Sequence, residues 1–279
     1  MWEGNHVWLI YVLVMWWTGF PIAFAAATTT LFIPMLLALA GIVLRGAGFA
    51  FRKYAETYAQ ARFFGVIFAG SSVITPFFLG TVAGAITSGR VPADGYGDPI
   101  RSWLNPTSVV GGCLAVTTCA FLAGVFLTAD AARGGRTDLA ERLRARSLAV
   151  GTVTGLIVFA GLYPILGDAP TLSRGLLDRA LPLLVVAALA GAVALAEIYR
   201  RRYRFARVSA VAAVAAVVTG WGVGQYPWML VDQLTIDDAA GAHATLTGLL
   251  VVVALAVVLI VPAFAYLLWL TQTERWRRT

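Results

Sequence analysis

Long apolar runs separated by short polar turns fill the chain, and the pattern predicts helical spans at roughly 7–28, 31–51, 63–87, 107–129, 147–166, 181–199, 207–228 and 245–270. Each run holds about 20 residues, enough at 1.5 Å rise per residue to cross a ~30 Å hydrocarbon core. A backbone in hydrocarbon must satisfy its own hydrogen bonds, so these runs read as helices. Polar punctuation marks their ends, as in "FRKYAETYAQAR" after the second run and "NPTS" before the fourth. The predicted fold is an all-α polytopic membrane protein, a bundle of about eight transmembrane helices. No connection exceeds about twenty residues, so 1–279 is expected to be a single membrane-embedded domain.

Composition agrees: 59% of the 279 residues are apolar and 13% charged, where about 25% charged is ordinary for soluble domains. The net charge of +7 does not point to nucleic acid, because the arginines stand in short blocks at span ends. Their distribution reports topology instead. Arg52, Lys53 and Arg62 follow the second span, Arg133, Arg136, Arg142, Arg144 and Arg146 the fourth, Arg200, Arg201, Arg202, Arg204 and Arg207 the sixth, and Arg275, Arg277 and Arg278 the eighth. Only Arg90, Arg101, Arg174 and Arg179 fall on the opposite side, so the rich side is expected to be cytoplasmic, with both termini. Asp94, Asp98, Asp168, Asp178, Asp232, Asp237 and Asp238 lie in the predicted outer loops.

Spans six to eight are rich in small residues, as in "LLVVAALAGAVALA" and "VSAVAAVAAVV", which lets helix backbones approach closely. Pro21 in "TGFPIAF" and Pro34 should kink or unwind the chain locally. Cys113 and Cys119, six apart in one apolar run, form neither a disulfide framework nor a CxxC motif and read as small core residues.

Ionisable groups within spans are costly, which makes each a functional candidate. Arg45, in "LALAGIVLRGAGFAFR", is the deepest, about 10 Å inside Arg52. It either snorkels toward the interface or meets a buried carboxylate or another anion. In a hairpin turning near Thr29, Glu3 would stand about 15 Å from its level, facing Arg52 or Lys53, so the partner must come from outside the hairpin. Glu3 lies at the cytoplasmic mouth of the first span, either as a helix-start acid favoured by the dipole or as a proton acceptor. Glu197, beside "YRRR", reads as a solvated interface charge. The two histidines, His6 and His243, sit near span ends on opposite sides and cannot form a bis-histidine haem site. No metal-ligand cluster, phosphate loop or nucleophilic triad is evident.

Taken together, "MWEGNHVWL", the "FP" pair thirteen residues beyond Trp8, "LRGAGFAFR", and "GWGVGQYPWMLVDQLTIDDAAGAHATLTGLL" resemble subunit II of the cytochrome bd quinol oxidases. The resemblance covers essentially the whole chain, lacks a counterpart of that family's first transmembrane helix, and places His6 where the family commonly has Glu or Gln. It implies a bacterial or archaeal plasma-membrane complex that oxidises quinol, reduces oxygen to water and builds proton motive force. It further implies that this chain ligates no cofactor, with two b-type haems, one d-type haem and the quinol site on a partner, subunit I. Residue by residue, Glu3 resembles the family's proton-pathway acid, Trp8 an aromatic on the oxygen route, and Arg45 an arginine supporting haem assembly. A small-solute or ion transporter framed by Arg45 and the Pro21 break, or a truncated and purely structural subunit, are the competing readings.

Overall fold

A computed structural model describes the backbone of residues 4–272 and the side chains of residues 8–270 apart from residue 268. Helices account for nearly all of it. Contacts divide the chain into two compact units, one formed by the residues up to Ala25 with those from Ile236 onward, the other by Ala26–Thr235.

In the first unit, α1 (Gly4–Gly19) is followed by the start of α2 (Pro21–Thr30), and the two helices meet at an angle of 116°. The run predicted as one span at 7–28 is therefore bent sharply at Phe20. Pro21 occupies the first helical position of α2, where its missing N–H costs nothing. The Gly19 carbonyl, freed by the break, accepts instead from the backbone N–H of Gly241 at 2.7 Å. The unit is completed by α10 (Ile236–Ala239) and α11 (His243–Gln272), whose Leu249 packs against Gly19.

The second unit contains six long apolar helices: α3 (Phe32–Lys53), α4 (Tyr58–Thr87), α5 (Pro106–Arg133), α6 (Thr137–Asp168), α8 (Leu181–Tyr199) and α9 (Tyr203–Gln225). With α11 they make seven helices long and apolar enough to cross a membrane, or eight spans if the bent pair is counted as one. A short α7 (Pro170–Asp178) and a small antiparallel ribbon, β1 (Trp228–Leu230) with β2 (Leu234–Thr235), complete the unit.

The polar punctuation becomes caps. Thr57 accepts from Gln60 N while the Gln60 side chain accepts from Thr57 N, a reciprocal capping box that starts α4. Asn105 accepts from Ser108 N ahead of Pro106, starting α5. Between α4 and α5, the Asp98 carboxylate accepts backbone N–H bonds from Arg101 and Ile100, which hold it below the ordinary carboxylate range.

Small residues hold the helices together. A Cβ added at Gly84 would stand 2.9 Å from the Thr107 carbonyl and 3.0 Å from Ser108 N, and one at Gly80 would stand 2.8 Å from Ala115 Cβ. Thus α4 and α5 touch backbone to backbone, the arrangement that lets dispersion drive packing where the solvent is itself apolar. Gly151 likewise accommodates Phe121, whose ring joins Val125, Ala194, Ile198, Ala206 and Ala210 in one buried cluster of α5, α8 and α9. Cys119 sits two positions from Phe121, on the opposite face of α5, and is exposed while Cys113 is half-buried. The expectation that both are core residues therefore fails for Cys119.

Gly84→Leu is expected to destabilise the α4–α5 pair by about 1–3 kcal/mol through overpacking. Gly155→Leu, at a helical site with nothing within 4 Å, should leave the thermal midpoint of the detergent-solubilised protein within a degree or two. Equal midpoints for both variants would contradict the close-approach account.

Candidate functional site

Arg45 belongs to the seam between α3 and α4. Gly41 and Gly48 flank it on one face of α3, at i−4 and i+3, and both are buried. A Cβ at Gly41 would collide with the Thr75 hydroxyl, and one at Gly48 would stand 3.1 Å from the Phe64 carbonyl. These contacts set the antiparallel register: the level of Gly48 matches Phe64 to Phe68, and the level of Gly41 matches Thr75.

Within that register the guanidinium carbon of Arg45 lies 5.5 Å from the centroid of the Phe68 ring. Phe68 is about one turn nearer the Arg52 end than Arg45's own Cα. The side chain thus leans in the snorkelling direction and stops against an aromatic face, a cation–π contact suited to a dry setting. Its Nε is buried without a hydrogen-bond partner, as is Thr75 Oγ1 on the same seam. Among the described residues, none of the ion pairs involves Arg45. A guanidinium nitrogen left dry and unpaired costs free energy until something meets it.

Trp8 lies on α1, in the other unit, with 42% of its surface exposed and its ring edge-on to Tyr11 at 6.0 Å. Farther along, Trp16 stands edge-on to Phe24 at 5.4 Å. The proton-pathway candidate Glu3 and the side chain of His6 lie outside the described residues. Glu197, read from sequence as a solvated interface charge, is half-buried, and its Oε2 has no hydrogen-bond partner. It faces inward because Ala194 and Ile198, its neighbours on α8, are packed in the core.

A second polar cluster, unforeseen from spacing, joins α4 to α9. Trp221 Nε1 donates to Thr87 Oγ1 at 2.8 Å, and the Thr87 hydroxyl is shared between the Ala83 carbonyl at 2.8 Å and Gln225 Oε1 at 3.3 Å. Gln225 Nε2 in turn reaches the Trp228 and Met229 carbonyls at 3.3 Å. Nearby, the Asp168 carboxylate pairs with Arg90 and accepts from Thr107 N at 3.2 Å, tying the end of α6 to the loop after α4 and to the start of α5. Gln225 sits inside the "GWGVGQYPW" stretch, but only the fold brings it to Thr87.

The seven apolar helices, with most of their charges gathered at the ends, define a multi-pass membrane protein. The description "Cytochrome bd terminal oxidase subunit II" matches residues 1–271, so the chain belongs to that family. It is 30% identical to the "Cytochrome bd-I ubiquinol oxidase subunit 2" of Escherichia coli K12 over 57% of this chain and 42% of that protein. It is 26% identical to the "Cytochrome bd ubiquinol oxidase subunit 2" of Bacillus subtilis over 66% of this chain and 54% of that one. The matches thus span about half the length of these two relatives. A chain from the bd oxidase of Geobacillus thermodenitrificans shares the fold, with a TM-score of 0.79 at 23% identity over 97% of this chain and 82% of that one.

Thr87→Val removes the acceptor for Trp221 and the donor to Gln225 at a site only 2% exposed. We expect a loss of about 1–3 kcal/mol, read as a lower unfolding midpoint with a changed tryptophan emission, and near-complete rescue by Thr87→Ser. A Val variant as stable as the Ser variant would contradict this.

Proposed function

We propose that the chain works as subunit II of a bd-type quinol oxidase in an aerobic respiratory chain. It is the non-haem partner of subunit I, supporting haem assembly there and contributing to proton and oxygen access as oxygen is reduced to water and proton motive force is built. The observation that carries this reading is Arg45: a cation within a span, its Nε dry and without a partner, in a chain that matches the family from end to end. An anionic group supplied from outside this chain offsets the cost of that burial, since an unpaired charge away from water is far more expensive than a paired one. By the positive-inside rule the arginine-rich end of the bundle faces the cytoplasm.

Haem ligation by this chain is a poor fit to its chemistry. Haem iron needs axial donors such as His, Met or Cys at haem depth, and the two histidines, His6 and His243, stand near opposite ends of the chain's predicted spans. The described histidine, His243, opens α11, where Thr247 contacts it at the helix end. The two b-type haems, the d-type haem and the quinol site are accordingly assigned to subunit I. Glu3 is the proposed proton-pathway acid, because a carboxylate at a cytoplasmic span end can take a proton from bulk water and pass it inward. Trp8, exposed near the start of α1, is the proposed aromatic of the oxygen route.

Two variants separate these roles. Arg45→Leu is expected to lower the haem content of the purified complex, read from the reduced-minus-oxidised spectrum, while Arg45→Lys retains more of it. Spectra unchanged in both would return Arg45 to snorkelling. Glu3→Gln is expected to slow quinol-driven oxygen uptake several-fold at unchanged haem content, whereas full activity would leave Glu3 as a helix-start acid.

A further inference from the structure

The short turn between α5 and α6 and the turn between α8 and α9 lie together at one end of the second unit. Two carboxylates bind them: Asp130 pairs with both Arg133 and Arg207, and Glu141 pairs with Arg144 at 2.9 Å and Arg201 at 3.0 Å. Arg144 also donates to the Tyr199 carbonyl at 3.3 Å, and Arg207 to the Phe126 carbonyl at 3.0 Å while lying over the Phe126 ring. These links fix the two turns side by side.

The same turns and adjoining helix ends carry ten arginines against four carboxylates, Asp130, Asp138, Glu141 and Glu197. Two of the four are spent on the bridges just described, and Glu197 has an oxygen turned inward. Arg136, Arg142, Arg146, Arg200, Arg202 and Arg204 are exposed, and among the described residues none of them is paired with a carboxylate. Topology alone asks only for a basic excess at this end, not for six unneutralised guanidiniums on two adjacent turns.

What lies below them identifies the partner. On α6, Arg142 and Arg146 continue into the exposed side chains of Ala149, Val153 and Leu156, at spacings of four and three that keep one helix face. On α9, Arg204 continues into Val208, Val211, Ala215 and Val218 in the same way. Because α6 has 32 residues, about 48 Å of helix against a ~30 Å hydrocarbon core, its arginine-bearing first turns stand at headgroup level. A cationic cap on a continuous apolar stripe matches an amphiphile with a negative head and a hydrocarbon tail. A nucleic acid or a soluble acidic peptide would use the cap and leave the stripes unaccounted for.

We propose that this face binds anionic phospholipids, their phosphates among the six free arginines and their acyl chains along the exposed stripes of α6 and α9. The inference needs only that the chain spans a membrane and stands or falls independently of the oxidase role.

The test is native mass spectrometry of the purified protein, with any subunit that copurifies, in mixed micelles of phosphatidylglycerol and phosphatidylcholine of matched acyl chains. Phosphatidylglycerol adducts are expected to exceed phosphatidylcholine adducts several-fold, to fall in high salt, and to persist when inorganic phosphate is added at the lipid's concentration. The variant R142Q/R146Q/R202Q/R204Q should lose most of that preference. The same four positions changed to Lys should keep it, as should R101Q at an exposed site at the other end of the bundle. Equal occupancy by the two lipids in the unaltered protein would overturn the proposal, even if the glutamine variant failed to assemble. So would a preference that survives the four glutamines or is lost equally in R101Q, and displacement by inorganic phosphate would identify a free-anion site instead.

Discussion

Hydrocarbon offers a buried polar group no water to fall back on, and that constraint organises everything else in this protein. Backbone hydrogen bonds are closed within helices, and where α1 breaks, the stranded Gly19 carbonyl is met by the Gly241 N–H. With no hydrophobic driving force between helices in lipid, association depends on close approach. Gly80 and Gly84 therefore admit the backbone of α5, and Gly41 and Gly48 admit that of α4. Charges are driven to the helix ends, where Asp130, Glu141 and Asp168 each bridge elements that the chain order keeps apart.

Arg45 is the exception. Its position follows from the glycines around it, which press α3 onto α4 and leave the arginine in a narrow seam facing Phe68. A protein would not retain a dry, unmatched guanidinium nitrogen for packing alone, since Leu fills the same space without the desolvation cost. In the role proposed for this chain, the anion that offsets the cost would be brought to the seam by a second subunit.

Much of the architecture was readable from periodicity and punctuation, because membrane spans announce themselves by length and their ends by caps such as Thr57 and Asn105. The depth of Arg45 could be counted along α3 from Arg52. Its lean toward Phe68 could not, because that direction depends on a register set by contacts with α4. Pro21 marked a break, but a proline does not specify how far the chain turns, and the 116° bend came only with the fold. The Thr87, Trp221 and Gln225 cluster joins residues more than 130 positions apart, a distance over which local pattern carries no information. Cys119 and Glu197 were misjudged for one reason: which face of a helix meets its neighbours is ambiguous when nearly every residue is apolar or small.

The most direct measurement of the central claim is made on the chain co-expressed with its own candidate haem-bearing subunit. The copurified complex is assayed for a reduced-minus-oxidised haem spectrum and for quinol-dependent oxygen uptake. The account predicts that both appear in the complex and that neither appears in this chain purified by itself. A haem signal carried by this chain alone, or a stable complex with its authentic partner that shows neither haem nor oxygen uptake, would contradict it.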